Sequence, residues 1–236
     1  MHKIAIPSYA IDRALSRRGR LHPFDGLDPA RTALIVVDLQ DGFMAPGQPA
    51  EIAQAREIVP NVNCLAAATR ACGGTVVWIQ NTTTAGGDKS WSIYLDNFAN
   101  AEWGPRMRRA FTPGDFGHAL YPELDVQPGD PIVRKYRFSA LVQGASDLDM
   151  LLRARNIDTL IIVGTATNVC CESTARDAMM LNYKVFFVSD ANACRTDEEH
   201  NATLASLMVM FADIRSTDEM IALLRREAAP VSSAAE

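Results

Sequence analysis

Short runs of aliphatic and β-branched residues recur along the chain, and segments with the apolar spacing of helices lie between them. Apolar runs of this kind are typical of strands buried on both faces of a parallel sheet. Their alternation with helices predicts an α/β fold with a mostly parallel sheet and helices on both faces. The predicted strands are residues 33–37, 75–79, 131–134, 158–163, 184–188 and 212–215. The predicted helices are residues 58–72, 147–155, 168–181, 197–211 and 217–226.

Composition excludes several classes of protein. With 236 residues, 48% hydrophobic and 22% charged, the chain is not collagen-like, coiled-coil or wholly disordered. The net charge of −5 gives no electrostatic reason to expect nucleic acid or an anionic membrane as a partner. No segment approaches the ~18 consecutive apolar residues of a membrane span. The cysteines number five, which argues against a disulfide framework and predicts a reducing, cytoplasmic location.

We expect the chain to have three segments. Residues 1–31 lack the apolar core of a signal peptide and are expected to form an arm that packs on the surface or on a partner subunit. Residues 32–228 form the domain, and the small and polar residues 229–236 form a fraying tail. Within the domain, residues 81–131 are a long irregular stretch with room for a short helix or two. Stretches of that length usually carry function.

Sites in open parallel sheets form outside the carboxyl ends of the strands. Asp38 follows the first predicted strand, Lys135 follows the third, and Cys170 lies in the loop after the fourth. A carboxylate, an amine and a thiol are therefore expected at one edge of one sheet. Taken singly, the aspartate also fits a loop-capping role, and the lysine fits an exposed basic turn. The other strand ends carry Gln80, Asn81 and Asp190.

The predicted strand-to-helix turn places Cys170 in the first turn of a helix. Unpaired N–H groups and the helix dipole favour a thiolate there, which predicts a lowered thiol pKa. The same N–H groups can hold a developing oxyanion. The alternative is that Cys170 is a buried small residue, which is the role we expect for Cys171 and the other three cysteines.

Three motifs carry a family resemblance. They are V-V-D-L-Q around Asp38, K-Y-R-F-S from Lys135, and G-T-A-T-N-V-C-C-E-S-T around Cys170. Together they resemble the isochorismatase-like cysteine hydrolases, from about residue 32 to about residue 224. Within that superfamily the last two motifs look most like ureidoacrylate amidohydrolases, with biuret hydrolases and N-carbamoylsarcosine amidohydrolases further off.

The resemblance implies both a fold and a mechanism. The fold is a three-layer αβα arrangement around a six-stranded parallel sheet, in homotetramers or dimers. The mechanism needs no cofactor: Asp38 is the base, Lys135 the cation and Cys170 the nucleophile. The resemblance further implies a non-proline cis peptide between Thr165 and Ala166, and an oxyanion hole made by the N–H groups of Ala166 and Cys170.

Departures from particular relatives narrow the expected function. Nicotinamidases of this superfamily hold a metal through an Asp-x-His element and a further histidine, whereas the four histidines here are scattered, so we expect no metal. True isochorismatases lack the nucleophilic cysteine. Cys170 therefore favours cleavage of a C–N bond in a small linear amide, ureide or carbamoyl compound, with release of ammonia. The alternatives are an enol-ether hydrolase of the isochorismatase type, using Asp38 as an acid, and a non-enzymatic ligand binder.

Substrate contacts are expected from loops at the same sheet edge. The aromatic candidates also fit lid packing or a subunit interface. Arg137 either binds a substrate carboxylate through two parallel hydrogen bonds or lies solvated beside Arg134. The expected partner is thus a small molecule. The candidates are Gln40, Phe43, Asn81, Trp91, Tyr94, Arg137, Phe138 and Ser139.

Overall fold

The computed structural model describes residues 1–84 and 86–228, and its centre is a six-stranded sheet in the order β3-β2-β1-β4-β5-β6. All neighbouring strands are parallel, which confirms the predicted α/β class. The expected tail, residues 229–236, lies outside the described residues. The strands are β1 (Thr32–Val37), β2 (Thr75–Asn81), β3 (Ile132–Lys135), β4 (Thr159–Thr165), β5 (Lys184–Ala193) and β6 (Asp213–Arg215).

Helices cover both faces of the sheet. They are α1 (Ser8–Arg18), α2 (Asp41–Met44), α3 (Val59–Ala71), α4 (Ser92–Asn97), α5 (Trp103–Ala110), α6 (Leu148–Ala154), α7 (Glu172–Met180), α8 (Asp197–Met210) and α9 (Thr217–Ala228). Leu34 of β1 lies in one apolar cluster with Leu65 of α3 and Leu224 of α9. Ile35, the next residue, lies in a second cluster with Leu204 of α8. Successive side chains of a strand point to opposite faces, so one buried strand supplies both cores and creates three layers.

Strand β5 departs most from the prediction, because it continues to Ala193 instead of ending at residue 188. Ile162 of β4 is opposite Phe187, yet Gly164, two positions later, is opposite Asn192. The additional β5 residues form an irregularity in the pairing with β4. The carboxyl end of β5 therefore comes later in the sequence than its apolar run indicates.

Two regions outside the regular alternation pack over the domain. The expected irregular stretch contains α4, α5 and a 3₁₀ turn at Phe116–His118. The N-terminal arm contains α1 and packs against α8 of the same chain, where Arg18 Nη1 donates to the carbonyl of Met208 at 2.9 Å. Among the residues described, no helix is both long and apolar enough to cross a membrane.

Candidate active site

The ends of β1, β3 and the β4–α7 loop bring three reactive side chains together. Lys135 Nζ lies 2.8 Å from Asp38 Oδ2 and 3.4 Å from Cys170 Sγ. All three side chains are buried. Strand pairing explains the meeting, because β1 and β4 are adjacent and β3 lies two positions from β1 in the same sheet. Residues that are far apart in sequence and follow parallel strands therefore share one edge.

The backbone has two unusual conformations where β1 ends, one at Asp38 and one in the neighbouring strand β4. Asp38 has φ 55°, a left-handed conformation that costs a non-glycine residue about 1–3 kcal/mol. Its N–H donates to the carbonyl of Ile79 at 3.1 Å. Beside it, Gly164 has φ +124°, and a Cβ at this position would lie 2.1 Å from the Val37 oxygen. Only glycine allows β4 to approach β1 at the point where Asp38 leaves the strand.

Asp38 and Lys135 form a buried ion pair. Burial raises the pKa of Asp38, and the charge of Lys135 offsets only part of this shift. Burial alone would lower the pKa of Lys135, but attraction to Asp38 and to the Cys170 sulfur outweighs it, so the pKa of Lys135 is raised. Lys135 Nζ approaches Asp38 Oδ2 to 2.8 Å as an ion partner, but neither Asp38 oxygen receives a hydrogen bond of full geometry from the described residues. The carboxylate keeps lone pairs that can accept a proton.

Cys170 lies in a π-helical turn, Thr167–Cys171, that precedes α7, whereas the sequence predicts a regular helix from residue 168. Burial raises the pKa of the Cys170 thiol to about 12, with Lys135 lowering it and Asp38 raising it by smaller amounts. The prediction of a lowered thiol pKa is therefore wrong. The cost of burying a thiolate exceeds the attraction of the neighbouring cation. At neutral pH the sulfur carries its proton, so attack by this thiol requires a base.

The peptide bond between Thr165 and Ala166 is cis, as the family resemblance implies. The carbonyl oxygen of Ala166 accepts the N–H groups of Val169 and Cys171, each at 3.1 Å. The Ala166 N–H has no backbone acceptor among the described residues. Ala166 also lines the cavity with Cys170, so its N–H is available beside the thiol.

A cavity of about 200 Å³ opens onto Cys170. A concave and mostly apolar site with a few converging polar groups is typical of small-molecule binding. The volume fits a small ligand and not a polymer. Seven aromatic side chains line it: Phe43, Trp91, Tyr94, Trp103, Phe111, Tyr136 and Phe138.

The predicted contact residues fall into two groups. Gln40, Arg137 and Ser139 are not among the residues that line this cavity, because their polar atoms hold loops. The Gln40 amide bonds the backbone of Asn81, Ser139 Oγ accepts two N–H groups of its own turn, and the Arg137 guanidinium donates to three backbone carbonyls. The residues that do line the cavity are Phe43, Asn81, Trp91, Tyr94 and Phe138.

Sequence reasoning ended the fifth strand at Asp190 and therefore missed Arg195. Asp190 Oδ1 accepts the N–H and hydroxyl of Thr217 at 2.7 and 2.8 Å, where α9 begins, so its predicted place at the catalytic edge is wrong. Because β5 runs on to Ala193, Arg195 follows the true strand end and lines the cavity. Within the described part of the chain, its guanidinium has no ion-pair or hydrogen-bond partner. No apolar pattern in the sequence marks this extension.

A second cluster contains metal-ligating residue types. Ligand atoms of His2, Cys194 and His200 lie within 4.8 Å of one another. The two imidazole rings stack with centroids 4.4 Å apart and planes 16° apart, so their in-plane lone pairs do not converge on one point. Both nitrogens of each ring also have hydrogen-bond partners in the protein. The arrangement does not fit a metal ion.

Comparison with known proteins agrees with the fold. The isochorismatase domain family matches residues 32–219. The uncharacterized isochorismatase family protein YwoC of Bacillus subtilis is 34% identical over 195 residues, which cover 83% of this chain and 95% of that protein. A cysteine hydrolase structure from Pseudomonas syringae pv. phaseolicola 1448A is similar at TM-score 0.79 and 29% identity, covering 88% of this chain and 98% of that one. An N-carbamoylsarcosine amidase from Thermoplasma acidophilum is similar at TM-score 0.64 and 25% identity, covering 80% and 97%.

Proposed function

Because this chain belongs to the isochorismatase family of hydrolases, we propose that it is a cysteine amidohydrolase that cleaves the C–N bond of a small amide, ureide or carbamoyl compound. The observation that carries the proposal is the Cys170 thiol, which lines the cavity and lies 3.4 Å from Lys135, itself paired with the buried Asp38. The similar structure named as an N-carbamoylsarcosine amidase supports the C–N bond class.

The first half of the reaction forms a thioester. Asp38 takes the proton of the Cys170 thiol, whose raised pKa makes a base necessary. Lys135 stays cationic and stabilises the emerging thiolate. The sulfur attacks the substrate carbonyl carbon, and the oxygen becomes an oxyanion held by the N–H groups of Ala166 and Cys170. Such donors are worth ~3–4 kcal/mol each. The C–N bond then breaks as Asp38 returns the proton to nitrogen, and ammonia leaves.

The second half regenerates the thiol. Asp38 removes a proton from a water molecule, and the resulting hydroxide attacks the thioester carbon. The C–S bond breaks, the sulfur recovers the proton from Asp38, and the carboxylic acid product leaves. Asp38 acts as base and acid in turn, which suits a carboxyl whose pKa is raised by burial.

Arg195 adds a contact for an anionic group on the substrate. A guanidinium at the cavity without a partner among the described residues offers a bidentate site for a carboxylate. Replacing it by alanine is expected to raise KM about tenfold or more for an amide that carries a carboxylate, since hydrogen bonds to charged groups are worth about 1.5–3 kcal/mol. KM for a neutral amide of the same size should not change. An equal loss for both substrates would contradict this role.

The central experiment measures ammonia release from a panel of amides, ureides and carbamoyl compounds, with rapid-quench mass spectrometry of the intact protein. We expect an acyl adduct on Cys170 during turnover. Cys170→Ala should form no adduct and release no ammonia while keeping its fold by circular dichroism.

Cys171→Ala is the matched control, because Cys171 is the adjacent buried cysteine but does not line the cavity. It should keep most activity and still form the adduct. If Cys171→Ala were the inactive variant, or if Cys170→Ala kept turnover, the proposed nucleophile would be wrong. Hydrolysis of an enol ether without ammonia release would instead indicate the isochorismatase-type reaction.

A further inference from the structure

Part of the cavity wall comes from residues 89–94, which we call the roof segment. Lys89, Trp91 and Tyr94 of this segment line the cavity that Cys170 also lines. The roof segment lies between β2 and α5 and is not part of the sheet. Its position beside the thiol is therefore not set by strand pairing and depends on contacts with other elements.

The side chain of Arg137 makes three of these contacts. Its guanidinium donates from Nη1 to the carbonyl of Lys89 and from Nη2 to the carbonyl of Ser90, each at 3.2 Å. Its Cζ lies 5.4 Å from the centroid of the Trp91 ring, within the range of a cation–π contact. Nη1 also donates to the Tyr136 carbonyl at 2.7 Å, which fixes the guanidinium relative to its own backbone. One planar side chain thus contacts three successive residues of the roof segment.

The backbone of Arg137 contacts the triad. Its carbonyl oxygen accepts a hydrogen bond from Lys135 Nζ at 3.0 Å. The same Nζ is paired with Asp38 and lies 3.4 Å from Cys170 Sγ. Arg137 therefore joins the catalytic lysine, through its carbonyl, to the roof segment, through its guanidinium.

The remaining contacts of the roof segment with the loop after β3 are of other kinds. Lys89 Nζ donates to the Gly144 carbonyl at 2.8 Å. The Phe138 ring packs edge to face against Trp91 and Tyr94, with centroids 4.6 and 5.1 Å apart. A lysine ammonium is a point charge on a flexible stem, whereas a guanidinium is a rigid fork that binds two acceptors at once. Of these contacts, only those of the guanidinium fix two adjacent backbone carbonyls.

We propose that Arg137 is a positioning residue that holds the roof segment over Cys170, and that it does not bind a substrate carboxylate. The proposal rests on the proposed amide hydrolysis and says how its binding site is kept in place. Its donors are used within the protein, so an anionic group of the substrate meets Arg195 instead. A wall that is ordered before the substrate arrives reduces the entropy lost on binding. This benefit is the same for charged and neutral substrates.

The kinetic test compares two amides that differ in a carboxylate, succinamate and succinamide. Arg137→Met is expected to raise KM about tenfold for both, because both bind under the roof segment. We expect kcat to stay within about threefold, since the pair of Lys135 and Asp38 and the backbone carbonyl of residue 137 remain. Arg195→Ala should raise KM for succinamate only. A loss confined to succinamate in Arg137→Met, or an unchanged KM for both amides, would overturn the proposal.

Two further variants serve as controls. Arg134→Met removes an exposed arginine of β3 that does not line the cavity, and it should change neither KM. Arg137→Lys keeps the charge but cannot donate to both carbonyls and stack on the ring, so its KM values should lie between those of the parent and of Arg137→Met. If Arg134→Met matched Arg137→Met, the effect would come from positive charge near the site, and the positioning role would be rejected.

Hydrogen exchange measured by mass spectrometry tests the positioning role without turnover. The N–H groups of Ser90, Leu95 and Phe98 donate to carbonyls three or four residues earlier. In Arg137→Met, residues 90–98 are expected to exchange about fivefold faster or more, while β4 keeps the parent's exchange rate. This result would stand even if no amide were hydrolysed, in which case only the amidohydrolase reaction would fail. Unchanged exchange in residues 90–98, or equal acceleration in β4, would reject the positioning role even with ammonia release intact.

Discussion

Two regions of this protein each contain a buried cysteine, another titratable side chain and an aspartate, but their hydrogen bonds are used differently. Beside Cys170, the oxygens of Asp38 receive no aligned hydrogen bond from the described residues, and the thiol lines a cavity. Around Cys194, both nitrogens of His2 and of His200 have protein partners, and the thiol donates to a backbone carbonyl at 3.4 Å.

The difference shows that reactive residue types do not by themselves make a site. Buried polar groups are normally satisfied, so a buried carboxylate without an aligned hydrogen bond, paired with Lys135 behind a thiol that lines a cavity, fits a group that exchanges a proton. The Cys194 region has the composition of a metal or catalytic site, but all four imidazole nitrogens of His2 and His200 already have hydrogen-bond partners among the described residues. It supports the fold by tying the N-terminal arm, through His2, to the start of α8 at Asp197.

Replacing one aspartate by asparagine in each region should distinguish the two regions most clearly. Asp38→Asn is expected to lower kcat/KM about 10³-fold, because an amide cannot take the thiol proton. Asp197→Asn, which keeps an acceptor for His2, should leave activity within about twofold. In the parent protein, kcat/KM should fall on the acid side at a pH above the usual carboxyl range, since the pKa of Asp38 is raised. Equal losses in the two variants would contradict the distinction between the regions.

Removing one member of the buried ion pair should cost stability as well as activity. Lys135→Met leaves Asp38 as an uncompensated buried charge, which is expected to lower the free energy of unfolding by about 3–5 kcal/mol. The double variant Asp38→Asn/Lys135→Met should recover much of that loss while remaining inactive. Urea unfolding of the three variants measures this. A double variant no more stable than Lys135→Met would show that the pair is not energetically coupled.

The region around Cys194 should affect how the free energy of unfolding depends on pH, and not catalysis. Burial lowers the pKa of His200 to about 4, below the ~6.5 of an unfolded chain. Between pH 4 and pH ~6.5, the unfolded chain binds a proton on His200 that the folded protein does not. The stability that the neutral, buried imidazole contributes is therefore fully present above pH ~6.5 and is lost as pH falls towards 4. The loss is expected to reach about 3 kcal/mol. Between pH 7 and pH 4.5, the free energy of unfolding should fall more for the parent than for His200→Asn, and urea unfolding curves at both pH values measure this. Parallel pH profiles would refute the assignment.

Cysteine substitutions outside the cavity should have the smallest effect. Cys194→Ala is expected to keep kcat/KM within about twofold and to lower the free energy of unfolding by about 1 kcal/mol, as is common for one buried side chain. Ammonia release and thermal unfolding check both values. Loss of turnover comparable to that of Cys170→Ala would mean that the closed cluster takes part in the reaction.

Much of the fold and the central triad could be predicted from the sequence. Parallel strands that are buried on both faces leave an apolar signature, and parallel crossovers bring their carboxyl ends to one edge. Asp38 and Lys135 could be placed by that rule without distances. The cavity walls were predictable only in part: Trp91 and Tyr94 were expected from a long irregular stretch, whereas Arg195 was not, because the irregular pairing of β5 has no apolar signature.

The sequence by itself determined the layer order of this protein and which strand ends carry chemistry, because both follow from local periodicity and chain order. Only the tertiary structure decided the protonation of Cys170 and the orientation of Arg137 and Arg195. Burial raises the thiol pKa against the expected direction, and burial depends on neighbours from distant parts of the chain. Hydrogen bonds already made to loop carbonyls likewise decide which of the two arginines is free to meet a substrate.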